Sequence, residues 1–178
     1  GLPNIHIYNP LDEDQLRLIF NKILKINKPV YLRLNRDSGE KFRRSHKLDN
    51  TGFDKINYNP KNKTTILSYG YSTSLAYKFI EKKNLSNQIN IIDCYQLKPF
   101  NTGEILRLIQ NSNKIIILEE HRSATGLSGI FSYNCIDKIN EKKIFSIGLD
   151  NEVFSRYGDH DFMINKYLKF EQKLKEYI

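Results

Sequence analysis

The amino-acid sequence predicts an α/β fold: a largely parallel sheet covered by helices on both faces. Three observations carry this. Short runs rich in β-branched residues recur at 64–69, 89–93, 115–118 and 143–147. Segments with apolar residues at helical spacing separate them, and such alternation implies right-handed crossovers between parallel strands. The run Ile115-Ile116-Ile117-Leu118 is wholly apolar, as a strand buried on both faces requires, which predicts a central position for it.

Taken in order, Asn4-Ile5-His6-Ile7-Tyr8 alternates apolar and polar residues and reads as a strand. Asn9-Pro10 ends it, because Pro10 biases Asn9 toward extended backbone. Asp12 is a favourable N-cap, and Leu16, Ile19, Phe20, Ile23 and Leu24 recur at helical spacing. Lys28-Pro29 closes that helix, and Val30-Tyr31-Leu32-Arg33-Leu34 reads as a second strand. Residues 1–36 thus form a β-α-β piece that cannot bury both faces of its strands alone and reads as the tail of a larger domain. Residues 37–63 are polar, basic and broken by Gly39, Gly52 and Pro60. So long a connection is uncommon inside a compact domain, so this stretch reads as a linker, with a short strand or hairpin at 53–58.

From Thr64 the pattern is regular. Thr64-Thr65-Ile66-Leu67-Ser68-Tyr69 is a strand ending at Gly70, and Ser72 or Thr73 is placed to cap a helix through Leu75, Ala76, Phe79 and Ile80. After the strand at 89–93, Asn101-Thr102-Gly103-Glu104 is a capping-box-like opening for a helix through Ile105, Leu108 and Ile109. A helix over 127–139 follows the apolar strand, then the strand at 143–147, then one or two helices between Asp159 and Ile178.

Composition bounds the function. The 178 residues are 39% hydrophobic and 27% charged, so a sizeable core forms and global disorder is excluded. Mean hydropathy is −0.55 and no apolar run approaches the ~18 residues of a membrane helix. No secretory signal opens the chain, Met163 is its one methionine, and the chain therefore reads as cut or processed before Gly1. Cys94 and Cys135 form no C-x-x-C pair, and Cys94 reads as a reduced, buried thiol of a cytoplasmic protein. Net charge is +8 and the sequence pI is near 9.3. Lysine is spread over every segment, so the densest cluster, Lys41-Phe42-Arg43-Arg44-Ser45-His46-Lys47, reads as a solvated basic loop rather than a nucleic-acid patch.

Four groups of residues offer chemistry. Gly70-Tyr71-Ser72-Thr73-Ser74 lies between a strand and a helix start, where backbone N–H groups hold anions, but neither glycine-rich nucleotide motif is present and helix capping explains the hydroxyls. Glu119-Glu120-His121-Arg122 follows the apolar strand, at the end where parallel sheets present functional groups. No metal-ligand spacing accompanies it, so a His–carboxylate hydrogen bond supporting a turn or an interface, made by Glu119, Glu120 and His121, is the expectation. In Gly126-Leu127-Ser128-Gly129 the second glycine comes one residue too early for a nucleophile elbow. Arg36, following Arg33 at the end of a strand, is placed to fork onto a phosphate or carboxylate. No complete catalytic constellation is evident from residue chemistry alone.

The ordered series is informative as a whole. Pro29-Val30-Tyr31-Leu32-Arg33-Leu34-Asn35-Arg36, Thr65-Ile66-Leu67-Ser68-Tyr69-Gly70, Ile92-Asp93-Cys94-Tyr95-Gln96-Leu97-Lys98-Pro99, Ile117-Leu118-Glu119-Glu120-His121, Gly126-Leu127 and Ile147-Gly148 follow one another across nearly the whole chain. The series resembles the C-terminal part of transketolase and its thiamine-diphosphate relatives, in particular the short C-terminal subunit of split, transketolase-like enzymes. The resemblance implies that residues 1–36 end a pyrimidine-binding domain, that 37–63 is a linker, and that 64–178 is the family's C-terminal domain with a mostly parallel five-stranded sheet. It implies an enzyme that moves a two-carbon ketol unit between sugar phosphates. Thiamine diphosphate and Mg would be held by an N-terminal subunit or domain, in a homodimer or heterotetramer, leaving this chain without the cofactor and inactive alone. Arg36 matches the arginine that helps hold the substrate phosphate in sugar-phosphate members, whereas His121 matches a family histidine with no transferred role. Thr125-Gly126-Leu127-Ser128 departs from the family's Gly-Gly-Leu-Gly turn, and Tyr167-Leu168 lacks an intervening glycine. Two other readings stand beside this one. The first is the β subunit of a 2-oxoacid dehydrogenase or the end of a deoxyxylulose phosphate synthase. The second is a basic nucleic-acid or protein-binding module, which the lack of an aromatic-studded basic stripe disfavours.

Overall fold

The β-branched runs and the amphipathic segments between them assemble as alternating strands and helices. The structure, a computed structural model, describes residues 2–35, 42, 48–139, 141–149 and 156–178. Its elements run β1 (His6–Tyr8), α1 (Glu13–Ile23), β2 (Val30–Leu32), β3 (Asp54–Asn57), β4 (Thr64–Ser68), α2 (Tyr71–Lys82), β5 (Ile89–Asp93), β6 (Gln96–Lys98), α3 (Thr102–Leu108), β7 (Lys114–Arg122), α4 (Leu127–Cys135) and β8 (Lys143–Leu149). A short α5 (His160–Met163), a π-helical turn (Ile164–Leu168) and α6 (Phe170–Tyr177) close the chain.

The main sheet has five strands in the order β3-β5-β4-β7-β8. All pair in parallel except β3, which runs antiparallel to β5 at one edge. Side-chain alternation along β7 builds both cores. Ile115 and Ile117 pack with Leu67, Ile92, Ile105 of α3 and Phe131 of α4. Ile116 and Leu118 pack on the opposite face with Ile66, Ile91, Phe79 of α2 and Leu168 and Leu174 of the C-terminal helices. The apolar strand is therefore interior, as expected, but the middle of the sheet is β4, with β7 between β4 and β8.

A second, three-stranded sheet has the order β2-β1-β6. The β-α-β piece read from the sequence is present, with β1 parallel to β2 (His6 opposite Val30). It continues through an antiparallel pairing with β6, Ile7 opposite Lys98. That strand has no sequence signal, being three residues long and ended by Pro99. Tyr8, Ile19 and Tyr95 form the small core beneath this sheet.

Local expectations differ from the structure in three places. Helix α2 begins at Tyr71 with Gly70 as its N-cap, and no side chain caps it. Ser72 and Thr73 lie inside the first turn, and Thr73 Oγ1 instead donates to Asp93 Oδ1 at 2.6 Å. Gly70 is required there, because φ is +54° and a Cβ would lie 2.6 Å from Asn9 Oδ1. Strand β7 runs past Leu118 to Arg122, since β8 pairs with it as far as Leu149. Helix α4 ends at Cys135 and tightens into a 3-10 turn, Ile136–Lys138. Among the described residues, no helix is long and apolar enough to cross a membrane.

Candidate functional site

Three chain ends converge at one edge of the main sheet: the carboxyl ends of β4 and β7, and the residues just after β2. Because β7 remains extended through Arg122, Glu119 and His121 lie on one face of it and Glu120 on the other. Each residue of the Glu-Glu-His segment accordingly has a different task.

Glu119 is fully buried. Its Oε2 accepts from the Leu127 N–H at 2.7 Å and its Oε1 from the Ser128 N–H at 2.9 Å. These are first-turn donors of α4, whose N-cap, Gly126, has no side chain to offer. A Cβ on Gly126 would lie 1.6 Å from Glu119 Oε2, so the glycine makes room for the carboxylate. Burial raises the Glu119 pKa, while the Ser128 and Leu127 N–H groups and the Ser128 and Tyr69 hydroxyls pull it back.

His121 Nδ1 lies 2.5 Å from the Tyr69 hydroxyl, and Arg33 Nη1 lies 2.8 Å from Nε2 and 3.1 Å from Nδ1. Burial, and then the Arg33 charge, lower the imidazole pKa to about 4, so the ring is neutral. Arg33 can only donate. Nε2 is therefore the acceptor in the shorter contact, and Nδ1–H donates to the Tyr69 oxygen. Glu120, on the other face, accepts from Arg33 Nη2 at 3.0 Å and has His160 Nε2 at 3.2 Å.

The expected His–carboxylate hydrogen bond is therefore replaced. Glu119 is taken by the start of α4, Glu120 faces away from the ring, and His121 bonds Tyr69 and Arg33. Arg36 lies outside the described residues, as does the basic cluster 41–47 apart from Phe42. Ser128 Oγ is 2.7 Å from Ser146 Oγ, in a chain of hydroxyls that continues to Ser123. Sequence reasoning missed Arg33, Tyr69, Tyr71 and His160 as members of the cluster. Arg33 carried a signal, a cation one residue past a strand, whereas nothing local links His160 to Glu120 across 40 residues of chain.

Arg33, Asn35, Tyr71, Glu120, Asp159 and His160 line a cavity of about 490 Å³ at this edge. A second, more apolar hollow of about 580 Å³ lies between β6 and α4, lined by Leu97, Pro99, Phe100, Ile130 and Tyr133 among others. Among the described residues, no three His, Cys, Asp or Glu side chains converge as a metal site would need.

With the fold and this edge in place, comparison with known proteins is decisive on the family. Residues 55–143, half of the chain, match the family "Transketolase, C-terminal domain". The chain belongs to that family. The matched stretch of this transketolase C-terminal domain opens in β3 and closes at the start of β8, so it contains the Glu119–His121 segment. The 1-deoxy-D-xylulose-5-phosphate synthase of Pseudoalteromonas atlantica is 26% identical over 85% of this chain and 24% of its own length. The 6-deoxy-6-sulfo-D-fructose transketolase subunit SqwH of a Clostridium species is 23% identical over 94% of this chain and 51% of its own length. A subunit of the apulose-4-phosphate transketolase of Phocaeicola vulgatus is 23% identical over 96% and 58%. A solved structure described as "Split gene transketolase, inactive beta4 tetramer" superposes with a TM-score of 0.79 at 21% identity, covering 99% of this chain and 59% of that one. That likeness shows the shared fold, and the chain spans about a quarter to three-fifths of these relatives.

Proposed function

We propose that this chain is the C-terminal portion of a thiamine-diphosphate-dependent, transketolase-like transferase that moves a two-carbon ketol unit between sugar phosphates. The observation that carries the reading is coverage. Two relatives named as transketolase subunits align with 94% and 96% of this chain, which takes in the β1-α1-β2 piece as well as the five-stranded domain. In this reading residues 1–36 end a pyrimidine-binding domain, and the stretch expected to be a linker over 37–63 instead supplies β3, the edge strand of the C-terminal domain's sheet, so that domain begins near Asp54 rather than at Thr64. The exposed apolar side chains Phe20, Leu24, Tyr31 and Leu34 on that piece support further protein packing there.

Glu119, the most buried glutamate of the edge, is engaged by the Leu127 and Ser128 N–H groups at the start of α4. In this reading thiamine diphosphate and Mg are held by an N-terminal subunit or domain. The working enzyme is a homodimer or heterotetramer in the cytoplasm, and this chain is inactive alone. Arg36 holds the substrate phosphate, a task suited to a forked guanidinium.

The test is an assay of the intact assembly with a ketose phosphate donor and an aldose phosphate acceptor. Ketol exchange is expected, with no turnover and no micromolar thiamine diphosphate binding by the isolated chain in calorimetry. Arg36→Lys should raise KM for the sugar phosphate about tenfold with kcat little changed. The similarity to the Pseudoalteromonas synthase favours one second reading, a deoxyxylulose phosphate synthase. Pyruvate consumption in place of ketol exchange by the intact assembly would select it.

A further inference from the structure

The cavity at the sheet edge has a feature that the ketol-transfer reading leaves unused. The chain passes from β4 to β5 on one side and later returns to place β7 on the other side of β4, so the strand order reverses between β4 and β7. Open α/β sheets bind ligands in the crevice outside the carboxyl ends of the two strands flanking such a reversal. Here that crevice is occupied by Tyr71, just after β4, and Glu120, at the end of β7, and it opens into the cavity of about 490 Å³. The volume lies in the range of small-molecule sites.

The polar groups on its wall specify the ligand chemistry. Glu120 Oε2 is taken by Arg33 at 3.0 Å. Glu120 Oε1 is buried and accepts no hydrogen bond among the described residues, although His160 Nε2 lies 3.2 Å away as an ion-pair neighbour. A buried carboxylate oxygen without a hydrogen-bond donor is destabilising, so this oxygen calls for a donor from a ligand. Arg33 cannot serve as an anion trap, because Glu120 neutralises it and His121, fixed in turn by Tyr69, holds its other nitrogen. Its remaining N–H groups still donate. Asp159 adds a second carboxylate to the wall, Asn35 an amide, and Tyr71 a ring in contact with that of His160 at 4.3 Å between centroids. We propose that this cavity binds a small, uncharged polyhydroxylated molecule of about pentose size, with one hydroxyl donating to Glu120 Oε1, others accepting from Arg33 and Asn35, and its carbon face against Tyr71.

The charge balance sets the selectivity. A phosphate dianion would meet the Glu120 and Asp159 carboxylates with no uncompensated cation among the described lining residues. A hydroxyl both donates and accepts and so satisfies both kinds of wall group. The inference rests on this cavity alone and not on the ketol-transfer reading. It is tested on this chain by binding, whereas that reading is tested on the assembly by turnover.

The experiment titrates the isotope-labelled chain with ribitol and, separately, with inorganic phosphate, following backbone amide resonances by NMR. Saturable shifts at residues 33–35, 71 and 158–160 are expected with ribitol at a Kd on the order of millimolar, and weaker or absent shifts with phosphate. Glu120→Leu should weaken ribitol at least about tenfold and, by releasing the Arg33 charge, admit phosphate. If that variant does not fold, Tyr71→Leu supplies the same tenfold criterion. Absence of ribitol shifts at these residues, tighter binding of phosphate than of ribitol to the unmodified chain, or unchanged ribitol affinity in a folded variant overturns the proposal.

Discussion

Gly126 and Gly103 show how differently two glycines in one domain are constrained. At Gly126 a methyl group would overlap the Glu119 carboxylate, with Cβ 1.6 Å from Oε2, whereas at Gly103 the nearest atom is 3.9 Å away. Gly126→Ala should therefore cost about 3 kcal/mol or more in urea unfolding, while Gly103→Ala, inside α3, should be neutral or stabilising by up to about 1 kcal/mol. His121 carries a pH signature. Its folded pKa of about 4 lies below the unfolded value of 6.5, so its contribution is complete above 6.5 and is lost as pH falls toward 4. His121→Asn should lose less stability than the wild type over that window in thermal melts. At this scale the sequence is partly legible. Glu119, Glu120 and His121 stand out by type and position, but which carboxylate meets which donor depends on strand alternation beyond Leu118 and on the return of α4, neither encoded locally.

Among the elements, β7 carries the most structure, because its two faces anchor two different cores. Ile116→Ala removes a fully buried side chain packed among α2 and the C-terminal helices, and it should cost about 2–5 kcal/mol by chemical denaturation. Ile144→Ala, on the partly exposed edge strand β8, should cost about 1 kcal/mol or less. The apolar periodicity that marks β4, β5, β7 and β8 is strong because these strands are covered on both faces, which is why they are legible in the residues alone. The three-residue β6 is invisible there for the converse reason. Its place is set by pairing with β1, and so short a segment displays no period.

At the scale of the molecule, the seam between the β1-α1-β2 piece and the main sheet rests on a buried polar contact. Gln15 Nε2 donates at 3.0 Å to both Asp54 Oδ2 and Asp93 Oδ2, carboxylates opposite one another on β3 and β5. Burial first, and then Asp54, push the Asp93 pKa up to about 8, against the pull of Thr73, Gln15 and the Gly70 N–H. The folded chain thus retains a proton that the unfolded chain releases above 3.8, so stability falls as pH rises from 3.8 toward 8. Asp93→Asn should flatten that part of the stability profile, as measured by urea unfolding at a series of pH values. The same seam places Arg33, from the first piece, against Glu120 and His121 of the second.

Hydrophobic period and contiguous motifs suffice for the fold class, the succession of strands and helices, and the family resemblance, because each of these is written within a few neighbouring residues. Long-range packing is needed to establish that β6 joins the three-stranded sheet, that Arg33 rather than a carboxylate meets His121, and that His160 and Tyr71 close a cavity with Glu120. Those facts depend on the relative placement of segments tens of residues apart, and that placement follows from covering both faces of one sheet, which no local pattern specifies.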